Sequence, residues 1–162
     1  MAELKAAGEL DDVIAGLSQL ATSYPKDASI PTAIGEAMLN KFPVQDPNEA
    51  ARLGMQIDQS FDAALALDPT NWEAQFYKAD SMSYWPPEMN RGPEVIQNLS
   101  NLVTQQEAAA QQPQFAQTYT LLGDQYQKAE ETGQAQSTWE KGLEKFPTDP
   151  ELRARVGNSA GR

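Results

Sequence analysis

Tyr119-x-x-Leu122-Gly123-x-x-Tyr126, then Ala135-x-x-x-Trp139, then Pro147, fall within the stretch Ala116 to Asp149. Tyr119, Leu122 and Tyr126 recur at three- and four-residue steps, which puts them on one face of an α-helix. Gly123 has no side chain, so a neighbouring helix can approach its backbone closely. Glu130, Glu131, Thr132 and Gly133 read as a stop, with Gly133 suited to the left-handed conformation past a helix end. A second amphipathic run through Ala135, Trp139, Leu143 and Phe146 ends at Pro147-Thr148-Asp149-Pro150. The stretch therefore predicts helix, tight turn, helix, turn.

These residues at this spacing resemble the tetratricopeptide repeat (TPR), a 34-residue helical hairpin with an aromatic, Leu-Gly and Tyr on its first helix, Ala and an aromatic on its second, and a closing Pro. The resemblance implies an all-α fold, a right-handed solenoid of antiparallel helix pairs. It also implies a non-catalytic module that binds another protein or peptide.

Working outward, closing prolines recur at Pro25, Pro69, Pro113 and Pro147. The last interval has the standard length, and the two before it are each about ten residues longer. The chain then divides into a partial repeat at 1–27, elongated repeats at 28–71 and 72–115, a standard repeat at 116–149, a capping helix at 150–156 through Leu152 and Val156, and a disordered tail at 157–162. Together 1–156 form one expected domain. Val13, Leu17 and Leu20 mark residues up to Pro25 as a second helix. The seven residues before Gly8 are too few for its partner, so the chain reads as starting inside a repeat or behind a short capping turn.

In the first elongated repeat, Ile34-Gly35-x-x-Met38 takes the Leu-Gly place and Ile57-x-x-x-Phe61 the Ala-aromatic place. Asp46-Pro47 reads as an N-cap followed by Pro at the first helical position, opening a helix to about Leu67. In the second, Lys78-Ala79 replaces Leu-Gly. Gln105 holds the aromatic site unless the helix from Pro93 shifts by two residues, which places Leu99 and Val103 in the core. The extra residues map to loops Phe42 to Pro47 and Trp85 to Pro93, expected to form a ridge on one edge.

Composition bounds the chemistry. The 162 residues carry 12 Lys+Arg against 23 Asp+Glu, a formal charge of −11. Such a chain repels phosphate backbones and anionic lipid, which argues against nucleic acid and membrane surfaces as partners. The sequence has no Cys and no His, which removes thiolate nucleophiles, His-based triads and the usual zinc ligands. No cofactor, metal or catalytic set is expected. No apolar run approaches the roughly 18 residues of a membrane span, and cytoplasm and periplasm both remain open.

In TPR proteins the first helices line a concave groove. Carried onto this chain, the residues one place after Gly35, Ala79 and Gly123 stack along it: Glu36, Asp80 and Asp124. Thr32, Phe76 and Thr120 lie one turn earlier, and Asn40, Tyr84 and Lys128 one turn later. Three carboxylates in a row attract Lys- or Arg-bearing segments, although a chain this acidic shows acids on any polar face. The row has the wrong charge for the carboxylate clamp by which one TPR subgroup holds acidic peptide termini, so the partner is expected to be basic or neutral. The aromatics Phe76, Tyr77, Tyr84 and Trp85 form a second candidate surface, with packing between repeats as the alternative. An open N-terminal helix face suggests homo-oligomerisation as an alternative function. A hydrolase would have only paired carboxylates, such as Glu36 and Asp80, to work with. Asn98-Leu99-Ser100 matches a glycosylation acceptor inside a helix, a weak signal.

Overall fold

A computed structural model describes residues 9–159 of the chain. Eight α-helices lie among them: α1 (Leu10–Ser23), α2 (Ser29–Leu39), α3 (Pro47–Leu67), α4 (Trp72–Met82), α5 (Gly92–Glu107), α6 (Ala116–Lys128), α7 (Thr132–Lys145) and α8 (Pro150–Ser159), with no strand. The fold is all-α, as the repeat spacing requires. The residues before Glu9, which begin the partial repeat expected at 1–27, and 160–162, the last of the tail expected at 157–162, lie outside the described set. The capping helix runs three residues further than expected, to Ser159.

The chain forms two compact units, Met1–Ser81 and Met82–Arg162, so the boundary falls near the end of α4, inside the second elongated repeat rather than between repeats. In the first unit α1 packs on α2 and α2 on α3. Leu53, Ile57, Phe61, Ala64 and Ala74 form its core, with Met38, Leu39, Val44 and Tyr77 packed around them. Leu53, Ile57, Phe61 and Ala64 recur at three- and four-residue steps on α3, the stripe that faces α2. Burying Ile57 and Phe61 contributes about 1.5–3 kcal/mol each. The fit is close, because a Cβ built at Gly35 would stand 2.7 Å from the Phe61 ring.

The entry to α3 follows the sequence expectation. Asp46 Oδ1 accepts from Asn48 N at 2.7 Å and Glu49 N at 3.1 Å, with Pro47 at the start of the helix. The loop before it is tied down by Val44, which packs on the core cluster. The Phe42–Pro43 bond in that loop is cis.

In the second unit α5 packs on α6, α6 on α7, and α8 on both α6 and α7. Gly123 faces Trp139 as Gly35 faces Phe61; a Cβ at Gly123 would overlap the indole ring, whose Nε1 donates to Thr120 O at 3.3 Å. Gly142 plays a similar part from the other helix, with Tyr119 Cβ 2.6 Å from where its own Cβ would be. The left-handed residue between α6 and α7 is Glu130, at φ 63°, and Gly133 lies inside α7. The turn is thus made three residues earlier than expected, because α7 begins at Thr132.

On α5 the shifted register is the observed one: Val95, Leu99, Leu102 and Val103 are buried. Gln106 is buried too, and its amide is satisfied within the unit. Nε2 donates to Phe115 O at 3.2 Å, and Oε1 accepts from Thr118 Oγ1 at 2.9 Å. The inserted segment before α5 includes a short 3-10 turn, Pro87–Met89, and leaves Tyr84 78% exposed. The two inserted loops, 42–47 and 85–93, belong to different units.

Candidate partner-binding surface

In the first unit, α2 and α4 place acidic residues around one phenol. Glu73, Tyr77 and Asp80 lie at i, i+4 and i+7 on α4, hence on one face. The Tyr77 hydroxyl is held above its ordinary pKa first by burial, then by the negative charges of Glu36, Glu73 and Asp80. Glu36 on α2 and Asp80 on α4 thus each raise the pKa of the same hydroxyl. Among the described residues neither Glu36 nor Glu73 has an ion-pair partner, whereas nearby Asp62 is neutralised by Lys78. Tyr77 itself stacks on Phe61, with centroids 6.3 Å apart, so its ring is anchored against the core.

The other first-unit residues named from the sequence divide. Asn40 is partly exposed and its Nδ2 donates to Glu36 O at 2.8 Å, closing the end of α2. Thr32 is buried, its Oγ1 donating to Ala28 O at 2.8 Å and accepting from Asn71 Nδ2 at 3.4 Å. Phe76 is not a surface aromatic: it is 7% exposed and stacks on Trp72 at 5.0 Å with the rings 4° from parallel. The adjacent Tyr77 ring meets Phe76 edge to face, with centroids 5.6 Å apart, and Phe76 is buried while Tyr77 stays only partly so.

In the second unit, Thr120, Asp124 and Lys128 share a face of α6 at four-residue steps. Asp124 is not an open carboxylate. Arg155 of α8 grips it with two bonds, Nε to Oδ1 and Nη2 to Oδ2, each 2.9 Å, and also reaches Glu151 at 2.8 Å. The hydrogen bonds that Arg155 donates to Asp124, with both carboxylates adding their charge, raise the Arg155 pKa against the opposing effect of burial. Thr120 Oγ1 donates to Ala116 O at 3.3 Å. Exposed Lys128 reaches Ser83 O at 3.5 Å, beside the exposed Tyr84.

Glu73 and Tyr77 were legible as surface members from their spacing with Asp80; Arg155 was not tied to Asp124 by any local pattern. Among the described residues no group of three or more Asp or Glu is placed to hold a metal ion, and no helix is long and apolar enough to cross a membrane.

With this geometry in hand, comparison of the whole structure identifies the class: the chain is a TPR-like helical-repeat protein. It is similar to a thermophilic TPR protein of Thermus thermophilus, with TM-score 0.78 and 13% identity over 98% of this chain and 77% of that one. It is also similar to MamA, with TM-score 0.71 and 16% identity over 97% and 80% of the two chains. MamA from Desulfovibrio magneticus RS-1 gives TM-score 0.69 and 18% identity over 97% and 77%. At these identities the likeness is one of fold. No protein-family profile matches the sequence, and no curated protein matches it.

Proposed function

We propose that this protein is a non-catalytic interaction module that docks a Lys- or Arg-bearing partner segment on the acidic face of its first unit, with Glu36, Glu73 and Asp80 supplying charge and Asn40 a nearby polar edge. One arrangement carries the reading: Glu73, Tyr77 and Asp80 share a face of α4, the Tyr77 ring is anchored on Phe61, and the negative charges of Glu36, Glu73 and Asp80 all act on its hydroxyl. A rigid ring flanked by acids suits a cationic side chain, which gains from both the charge and the π face. The wider sequence expectation, a row that includes Asp124, narrows to the first unit because Arg155 already occupies Asp124.

The test is a peptide array graded from acidic to basic, followed by titration of the best binder. Basic peptides should be preferred, affinity should fall with added salt, and Glu36→Lys or Asp80→Lys should weaken binding several-fold each, the scale of partly exposed pairs at about 0–1 kcal/mol. Asp124→Asn should leave affinity unchanged. Equal binding across the array, or indifference to both charge reversals, would overturn the reading.

A further inference from the structure

Two large apolar side chains stand in water on the segment between α4 and α5, within the second unit. Tyr84 is 78% exposed, the most of any exposed large hydrophobic residue described, and Met89 is 51% exposed. Pro86 between them is exposed as well, and Trp85 is half-buried. Exposed apolar side chains standing singly are ordinary, whereas several brought together mark a contact surface. The segment is also held in one shape. Trp85 N donates to Met82 O at 3.3 Å, and Met82 is buried; Met89 N donates to Pro86 O at 2.9 Å. Arg91 Nε pairs with Glu94 Oε2 at 3.2 Å, and Lys128, the last residue of α6, donates from Nζ to Ser83 O at 3.5 Å. An aromatic ring presented on a fixed backbone loses little conformational freedom when a partner covers it.

The charge beside that ring is positive. Lys128 is exposed, and among the described residues it forms no ion pair. Asp124, one turn earlier on the same face of α6, does not neutralise it, because both Asp124 oxygens accept from Arg155. Glu130 and Glu131 lie past the end of α6, where the chain turns at Glu130 toward α7. The carbonyls at the end of α6 favour a cation at this place and leave its charge open to a partner. Glu88, exposed and adjacent to Met89, gives the other end of the segment the opposite sign.

We propose that this segment is a separate docking surface for an acidic and apolar peptide segment of another protein: an aromatic or aliphatic side chain packs on Tyr84 and Met89 while a neighbouring carboxylate pairs with Lys128. The ring supplies the burial, as aromatic anchors do at interfaces. The ammonium sets the sign, since a Lys or Arg brought beside Lys128 meets like charge. Acidity alone does not suffice, because a carboxylate without an apolar neighbour gains only an exposed ion pair, which is weak. The surface shares no residue with the acidic face of the first unit and does not depend on it.

Fluorescein-labelled octapeptides with Phe next to Asp at the centre and Gly or Ser elsewhere test it, titrated against the full chain beside matched peptides carrying Lys for Asp or Ser for Phe. The titrations are run on the parent and on a Glu36→Gln, Asp80→Asn protein, whose acidic face has lost two charges. In that protein the Phe-Asp peptide should bind as it binds the parent, and both matched peptides should bind at least about fivefold more weakly. Tyr84→Ala and Lys128→Glu should each weaken the Phe-Asp peptide by about fivefold or more, and Lys128→Arg should keep it; both side chains are exposed, so the helical signal stays unchanged. No binding of the Phe-Asp peptide overturns the inference, and so does binding indifferent to Tyr84→Ala or to Lys128→Glu. Binding lost in the Glu36→Gln, Asp80→Asn protein overturns it too. The preference of basic peptides for Glu36 and Asp80 is read from the same proteins with different peptides, so the two docking surfaces stand or fall separately.

Discussion

Arg155 and Asp124 form a two-pronged ion pair that fastens α8 to α6, both bonds 2.9 Å long. Each side chain is about two-thirds withdrawn from water, at 32% and 30% exposure, and the fork geometry fixes both partners. Asp124→Asn or Arg155→Met should each cost about 1 kcal/mol, read as a 2–4 °C fall in Tm, roughly the scale for a chain of this length. A double-mutant cycle should recover a coupling of similar size between the two. Additive effects would show that the pair contributes nothing beyond its members.

The glycines separate by what stands over them. Gly123→Ala drives a methyl into the Trp139 ring and Gly35→Ala into Phe61, so each should cost about 1–3 kcal/mol by overpacking. Gly157→Ala meets open space and should be neutral or stabilising by up to about 1 kcal/mol, the helix preference of Ala over Gly. Urea unfolding of the three variants checks the order.

Two buried glutamines should respond in opposite senses. Gln106 satisfies the Phe115 carbonyl and the Thr118 hydroxyl. Gln106→Leu strands both and should cost about 2 kcal/mol or more. Gln125 is 5% exposed, and its Nε2 has no hydrogen-bond partner among the described residues. Gln125→Met keeps the length, removes the stranded donor, and should stabilise by about 1 kcal/mol. Chemical denaturation of both variants against the parent provides the comparison.

Stability should fall in acid partly through Glu107. Some burial opposes its ionisation, but hydrogen bonds from Lys141 and Tyr119, with the charges of Lys141 and Lys145, outweigh that and hold its carboxyl below the ordinary 4.5. The folded carboxyl thus binds its proton more weakly than the unfolded one. The stabilisation is complete above pH 4.5 and is lost as pH falls through the lower folded value. Glu107→Gln should flatten this part of the profile while lowering stability at neutral pH by up to about 1 kcal/mol. Tm measured from about pH 7 down to about pH 3 for both proteins would show an unchanged slope if the carboxyl has no part.

Much of the fold was legible because the decisive residues are close in sequence and carry strong local rules. Pro47 after Asp46 fixes the start of α3, and Gly123 with Trp139 follows from the repeat spacing. Even Gly142, not singled out from the sequence, lies three and seven residues after Trp139 and Ala135 on the same face. What escaped depends on partners far along the chain. Asp124 reads as an open groove acid until Arg155, on a separate helix, is seen to hold it. Gln106 carries no local sign of burial, and its amide is satisfied by Thr118 and the Phe115 carbonyl beyond the end of its own helix. Phe76 and Tyr77 are adjacent aromatics that only packing assigns, one to the interior and one to the acidic face.

The Pro-containing turns have a consequence for how such a chain can change over generations. In Asp68-Pro69-Thr70-Asn71 and Phe146-Pro147-Thr148-Asp149 the first residue donates its N–H four residues back to close one helix, and the side chain of the fourth accepts from an N–H of the next, at Ala74 and Leu152. A block running from one turn to the next brings its own boundaries, so duplication or excision of a whole block leaves the flanking helix ends chemically intact. Chain length is therefore free to vary in whole blocks, whereas a cut inside a helix pair separates a glycine from its ring.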